Sequence, residues 1–335
     1  MRPAPAAWLP MALLGLLCAL LLPLAANAAP AEELQMLAEH PVEGMRGGNL
    51  SGLALCGQDL YTESDRDDDR LYRLDISHNV WRAEAQVFKA PPPPPSGLTW
   101  GMDVRTWLMS FVRGGDLDFE AISCDAAQNR YLVSEAHAAV LKVTPAGQTE
   151  WLPITPRLVR EARAAGLLAH FNGIFEGLAV NPAGDQLWLA AERSDRGLLI
   201  ARRTAQGWDC DGACVLLSEA PHEPPPAAAG RLLPGGDFSD LAYYHGKLFT
   251  LERYLYKICR RDAKTAAVEK CWSYARDALV PERRYDKPYG VAEALVIDAE
   301  GAWVGNDNND WARGDGDRRP IVWRYAAPAA GWDAP

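Results

Sequence analysis

Histidine is scarce in this chain: six residues are scattered along it, which gives no support to a zinc site or a histidine-based triad. His137 and His245 lie near hairpin ends or turns, where a lone histidine is ordinarily a surface residue. There is no Gly-x-Ser-x-Gly elbow, Walker loop, His-Glu-x-x-His pair, dinucleotide fingerprint or Cys-x-x-Cys. Positive charge is also short. Lys and Arg total 34 against 44 Asp and Glu, a formal net charge of −10. So acidic a chain is a poor partner for nucleic acid or anionic lipid, but it is suited to collecting cations.

Long apolar runs are limited to one, Trp8 to Leu24. Arg2 precedes it, Pro23 interrupts its end, and Ala26-Asn27-Ala28 supplies the small-x-small pattern of signal peptidase. Residues 1–28 therefore read as a cleavable signal peptide, Ala29 as the first mature residue, and 29–335 as one domain in the periplasm or outside the cell. Cleavage removes Arg2 and leaves a still more acidic, soluble chain with no membrane segment, expected to be a monomer. Cys18 goes with the leader, and Leu17 before it rules out a lipobox. The remaining cysteines, Cys56, Cys124, Cys210, Cys214, Cys259 and Cys271, are even in number, which suits disulfides in an oxidising compartment. Cys210 and Cys214 would close a short loop and Cys259 and Cys271 would bridge neighbouring strands, while Cys56 and Cys124 occupy similar points of two repeats. Spacing leaves the connectivity open, and each could instead be a buried thiol.

What the chain has in abundance is repetition. Leu50-Ser-Gly-Leu-Ala-Leu55, Phe119-Glu-Ala-Ile-Ser123, Phe175-Glu-Gly-Leu-Ala-Val180, Phe238-Ser-Asp-Leu-Ala-Tyr243 and Val291-Ala-Glu-Ala-Leu-Val-Ile297 share one pattern. Each runs through a turn such as Asn181-Pro-Ala-Gly-Asp185 into a second apolar strand such as Gln186-Leu-Trp-Leu-Ala190. Most continue into a third. Such units predict an all-β fold, a β-propeller of five or six blades. Ile321 to Tyr325 and Leu34 to Val42 would complete the closing blade. Pro91 to Pro95 reads as a stiff polyproline excursion. Pro156 to His170 reads as a short helical insertion placed to cover a channel mouth, with Arg157, Arg160 and Arg163 near one face. The twelve tryptophans read as packing or rim residues.

Acids flank the hairpins. Glu120, Glu176, Asp240 and Glu293 begin first strands, with Ser51 in that place in the first unit. Glu63, Glu135, Glu192, Glu252 and Asp307 end second strands. In an antiparallel hairpin these positions share one edge, and a propeller brings every first strand to its axis. The expected result is a ring of carboxylates at one mouth of the channel. Convergent carboxylates repel, so protons, arginines or a hard cation must compensate. All-oxygen ligands point to Ca²⁺ ahead of Mg²⁺ or Mn²⁺, with Glu63, Glu120, Glu135, Glu176, Glu192, Asp240, Glu252, Glu293 and Asp307 as the ligand candidates. The alternative for each is hydrogen bonding to loop N–H groups. Asp65-Arg-Asp-Asp-Asp69 lacks the glycine and glutamate of an EF-hand and reads as a solvated charge run. Asn306-Asp-Asn-Asn-Asp310 either supports its own turn or binds a cation.

At these residues the chain resembles the phytase-like family described as having esterase-like activity, similar in pattern to other calcium-binding propellers. The matching segments are Asp118-Phe-Glu-Ala-Ile-Ser, Asn172 to Asp185, Ala191-Glu192, Phe238-Ser-Asp-Leu-Ala, Leu251-Glu-Arg253 and Gly305-Asn-Asp-Asn-Asn309. They span roughly residues 48–325. Ser51 is a departure, as are the alanines that replace glycine after Glu120 and Glu293. The resemblance implies a propeller and hydrolysis of phosphate or carboxylic esters.

Two functions are compatible with these residues. In the first, a cation in the acidic mouth binds a small anionic ester and activates water, Glu120 or Glu176 is the general base, and Arg157, Arg160, Arg253, Arg283, Arg284 and Lys287 receive the anion, with surface solubility as their alternative role. In the second, the propeller is non-catalytic, the cation is structural, and the mouth binds a ligand or protein partner. A lactonase-like enzyme fits the same scaffold.

Overall fold

The turn residues close the predicted hairpins. Asn181 accepts the N–H groups of Asp185 and Gln186 through its side chain, and Gly184 takes a positive φ of 65°. This turn sets the register that places Leu178 opposite Leu189.

The computed structural model describes residues 31–113, 115–170, 172–192, 195–220, 223–229, 236–285, 287 and 291–334. The expected signal peptide, residues 1–28, lies outside the described residues. No helix among those described is long and apolar enough to cross a membrane.

Strands β1 (Glu32–Glu33) and β2 (Met36–Glu43) come first. The first blade is β3 (Gly52–Cys56), β4 (Asp59–Glu63), β5 (Arg70–Asp75) and β6 (Trp81–Val87). Helix α1 (Trp100–Arg113) leads to the second, β7 (Phe119–Cys124), β8 (Arg130–Ser134), β9 (Ala139–Val143) and β10 (Thr149–Trp151). Helix α2 (Arg157–Ala164) precedes the third, β11 (Phe175–Val180), β12 (Gln186–Ala191) and β13 (Arg196–Thr204), with β14 (Gly207–Asp209) and β15 (Val215–Glu219) both paired to β13. The fourth is β16 (Asp240–Tyr244), β17 (Lys247–Glu252), β18 (Lys257–Asp262) and β19 (Val268–Ser273), with β1 added in parallel. After helix α3 (Ala275–Ala278), the fifth contains β20 (Ala292–Ile297), β21 (Gly301–Asn306) and β22 (Ile321–Ala326).

Strand β2 supplies the fourth strand of the fifth blade, placing Glu39 opposite Trp323. Its end also pairs in parallel with β6, Val42 opposite Trp81. The expected closing blade therefore forms from both ends of the described chain. The first strands touch in the cycle β3, β7, β11, β16, β20 and back to β3. The described residues thus form a five-bladed β-propeller, with no sixth blade among them.

Axial strands are the most buried: every residue of β11 is buried, whereas β6 at a blade's outer edge is mostly exposed. One apolar cluster fills each blade-to-blade interface. Leu71 packs with Ile122, Val133 with Phe175, Leu198 with Leu248, Leu251 with Leu295, and Leu53 with Val322 within their respective clusters. Burying such side chains, at about 1.5–3 kcal/mol each, fixes the blades to one another.

Three disulfides form. Cys56 joins Cys124 across the turn-side ends of β3 and β7, Cys210 joins Cys214, and Cys259 joins Cys271 at directly opposed positions of β18 and β19. Helix α2 is shorter than the Pro156–His170 segment expected to be helical. Gly166 takes φ 87°, its N–H reaches the Arg163 carbonyl and that of Leu167 the Ala162 carbonyl, a left-handed cap that ends the helix. The helix is fastened to the blade 3 strands β13 and β15, and Glu161 accepts the Cys214 N–H. Helix α1, with Trp100 and Trp107 exposed, was not foreseen beyond the proline excursion.

Candidate metal centre and active site

Three leading glutamates share one backbone device. Register slips by one residue between Phe119 and Ala121, between Phe175 and Gly177, and between Ala292 and Ala294. The extra residues are Glu120, Glu176 and Glu293. Each sits on a β-bulge at the start of an axial strand, where the bulge re-aims its side chain. The trailing residues Glu135 and Asp307 are placed alike, their N–H groups bonding the Asp118 and Val291 carbonyls.

The carboxylates converge. Oxygens of Glu135, Glu176 and Glu192 lie within 4.8 Å of one another, and so do those of Asp65, Asp118 and Glu120. The first group is wholly buried. Glu135 accepts the Ile174 N–H at 2.8 Å. Glu176 and Glu120 accept no hydrogen bond among the described residues, and neither oxygen of the fully buried Glu63 has a partner. Asp118 and Asn172, with φ of 52° and 57°, turn the chain just before two of the axial strands, a conformation that Asn and Asp tolerate. Gly52 leaves room for Glu63: a Cβ there would lie 2.7 Å from Oε1 of Glu63 and 2.8 Å from the Ile122 nitrogen.

Crowding raises the acids' proton affinity. Burial, then the Glu176 and Asp65 charges, pushes Glu120 well above the usual carboxylate range. Glu63 rises through burial and then Asp65. Glu293 rises through burial despite Arg253. Asp307 is pushed up to about 6 by burial and Asp65, against the Asn309 N–H.

Other expected ligands are otherwise engaged. Asp240 sits one position beyond the leading place, which Ser239 holds in that strand. Its carboxylate accepts the N–H groups of Leu241 and Leu295 at 2.7 Å, and that of Leu178, which ties three axial strands together. Glu252 is held by Arg196 at 2.8 Å and Arg261 at 3.0 Å. Both are structural acids in this geometry.

The expected anion-binding residues also separate. Arg253 is buried, and its guanidinium donates to Asp237 and Glu192 at 2.5 Å and to Glu293. It is a counterion of the acids rather than an open cation. Arg157 on α2 bonds Glu161 and the carbonyls of Cys210 and Gly212, which secures the disulfide loop. Arg284 is exposed and donates to the Ala228 carbonyl. Lys287 remains at the mouth: it is buried beside the charges of Asp307 and Glu293, its ammonium 5.8 Å from the Trp311 ring centre, and burial lowers its proton affinity.

Sequence reading missed Asp65, Asp118 and Asp237. A signal was present for two of them: Asp precedes Phe at 118–119 and again at 237–238, with Asn49 before Leu50. The Asp65–Asp69 run is not a solvated face. Asp67 is buried against the Tyr72 hydroxyl and Arg46, and Asp68 accepts the N–H groups of Asp116 and Leu117. The Asn306–Asp310 segment supports its own turn: Asn308 donates to the Trp311 and Arg318 carbonyls, and Asn309 to Asp307.

Residues 46–253 match the model of the phytase-like family, described as "Esterase-like activity of phytase". No curated protein matches the sequence. Among solved structures, a glutaminyl cyclase from Myxococcus xanthus superposes with TM-score 0.49 at 9% identity, over 88% of this chain and 99% of that one. An aldose sugar dehydrogenase from Streptomyces coelicolor gives 0.42 at 14%, over 89% and 100%. A virginiamycin B lyase from Staphylococcus aureus gives 0.39 at 10%, over 88% and 100%. Those likenesses say nothing about activity.

Proposed function

We propose that this chain, which belongs to the phytase-like family, is an exported, cation-assisted hydrolase of small anionic phosphate or carboxylic esters. The observation that carries the reading is the buried Glu135–Glu176–Glu192 group, three carboxylates within 4.8 Å, of which Glu176 accepts no hydrogen bond among the described residues. An all-oxygen donor set of this charge fits a hard divalent cation, Ca²⁺ first. These three residues would hold it. A divalent ion there supplies Lewis-acid stabilisation of an anionic ester oxygen.

The chain's own groups supply the rest. Glu120 is electrostatically linked to Glu176, and its raised proton affinity makes its carboxylate a stronger base than an ordinary glutamate. Its carboxylate takes the proton of the attacking water. Lys287 presents a positive charge to the anionic group from the Asp307 side of the mouth. Export supplies the oxidising conditions that the three disulfides need.

A second reading, a non-catalytic propeller with a structural cation, draws support from the acids already engaged by Arg253 and by backbone N–H groups. The two separate on metal analysis of the purified protein joined to a panel of phosphomonoester, phosphodiester and carboxylester substrates. Chelator-sensitive turnover is expected. Bound cation without turnover on any ester favours the second reading, and turnover indifferent to chelator refutes the first.

A further inference from the structure

Two blades carry serine where the others carry the leading glutamate: Ser51 in the first and Ser239 in the fourth. The residue after the trailing acid differs between these two blades. Ser64 comes after Glu63, and Glu63 has no hydrogen-bond partner among the described residues. Arg253 comes after Glu252, and its side chain enters the space among the axial acids. Elsewhere that position is Ala136, Arg193 or Asn308. Glu252 itself does not need Arg253, because Arg196 and Arg261 hold it.

The guanidinium contacts three carboxylates from three blades: Glu192 after β12, Asp237 before β16 and Glu293 on β20. Arg253 and Asp237 are 5% and 3% exposed, so water contributes little to neutralising this group. Glu192 belongs at once to this group and to the Glu135–Glu176–Glu192 group. The mouth therefore holds two adjoining three-carboxylate groups that share Glu192. One is filled by a positive side chain of the chain itself.

We infer that Arg253 is a built-in cation standing in a second metal position, and that it limits the number of divalent ions the mouth accepts. The inference rests on the proposed cation at Glu135, Glu176 and Glu192 for its context. Asp237, Glu192 and Glu293 form an ion site once the guanidinium is gone. Three crowded carboxylates, two of them buried and Glu293 only 13% exposed, must take up protons or a cation once their counterion is gone. Replacing the arginine with a shorter neutral side chain makes both the charge deficit and the space.

The test is Ca²⁺ stoichiometry by titration calorimetry and native mass spectrometry on the full mature chain, comparing native protein, Arg253→Gln and Arg253→Lys. Arg253→Gln should bind one equivalent more than native, and its melting temperature should depend on Ca²⁺ more steeply. Arg253→Lys keeps the charge and should match native stoichiometry. An Arg253→Gln protein that folds in millimolar Ca²⁺ with the native stoichiometry overturns the inference. So does one that stays unfolded at saturating Ca²⁺ while Arg253→Lys folds. If native protein binds no Ca²⁺ but Arg253→Gln binds one, the proposed function's cation fails and the role of Arg253 stands. If neither binds, both fail.

Discussion

Replacing Glu176 with Gln keeps the side chain's shape and removes one negative charge from the most buried carboxylate group. Glu135 and Glu192 lie within 4.8 Å, but Glu192 is already held by Arg253 at 2.5 Å, so within this group Glu135 is the neighbour that counts, and Glu120 outside it adds to the repulsion. At an effective dielectric of about 20, two charges about 5 Å apart repel by about 3 kcal/mol. Arg253, which also feels Glu176, offsets part of the gain. The cation-free variant should therefore be more stable than native by on the order of 2 kcal/mol. For a chain of about 300 residues, with an unfolding entropy of about 0.6 kcal/mol/K, that is a rise of about 3 °C. In Ca²⁺ the order should reverse. One of three anionic ligands is lost, and affinity should fall at least about tenfold, which is about 1.4 kcal/mol of binding. Thermal melts with chelator and over a Ca²⁺ series read both effects, since an ion that binds only the native state raises its melting temperature. A Glu176→Gln protein that is less stable without Ca²⁺, yet gains as much from Ca²⁺ as native, would refute the reasoning.

Further outcomes are expected. Glu120→Gln should cut ester turnover by about 10²–10⁴-fold while shifting Ca²⁺ affinity only a few-fold, as read by single-turnover kinetics beside calorimetry. Without cation, stability should fall as pH rises from about 4 through 6: Asp307 binds its proton more tightly when folded, so its contribution is complete below the unfolded value and lost above the folded one, about 3 kcal/mol in all. Urea unfolding across that range should show the slope, and Asp307→Asn or saturating Ca²⁺ should flatten it. Changing Cys56 and Cys124 to Ser removes a link across 68 residues and should cost about 4 kcal/mol by loop entropy, seen as a lower urea midpoint with little change in Ca²⁺ affinity. Mass spectrometry of the exported form should place its N-terminus at Ala29, and an intact Met1 in membrane fractions would count against export.

The propeller was legible because each blade repeats the same hairpin chemistry, and turns such as Asn181–Asp185 hold the register that their residues announce. Closure by Met36–Glu43 was legible as well, since an unpaired apolar strand at one end needs a partner strand at the other. The site was legible at the level of glutamates near strand ends. It was not legible at the level of register. Asp240 reads as a leading acid, but Phe238-Ser239-Asp240 sets it one place beyond the position of Glu120 and Glu176, and there its carboxylate is consumed by backbone donors. The bulges themselves have no composition signal: glycine follows Glu176 while alanine follows Glu120 and Glu293. The Asp65 run looked solvated because its partners, Tyr72 of β5, Arg46 before β3 and the N–H groups of Asp116 and Leu117 before β7, are brought to it by the fold. Arg253 looked like an anion receptor for the same reason, since its three carboxylates lie between 16 and 61 residues away.

The most direct test is a crystal of the mature protein grown in Ca²⁺, with Tb³⁺ soaked in place of Ca²⁺ to supply anomalous scattering. An anomalous peak about 2.3–2.6 Å from oxygens of Glu135, Glu176 and Glu192 is the predicted result. Saturating Tb³⁺ with no peak at those carboxylates would contradict it.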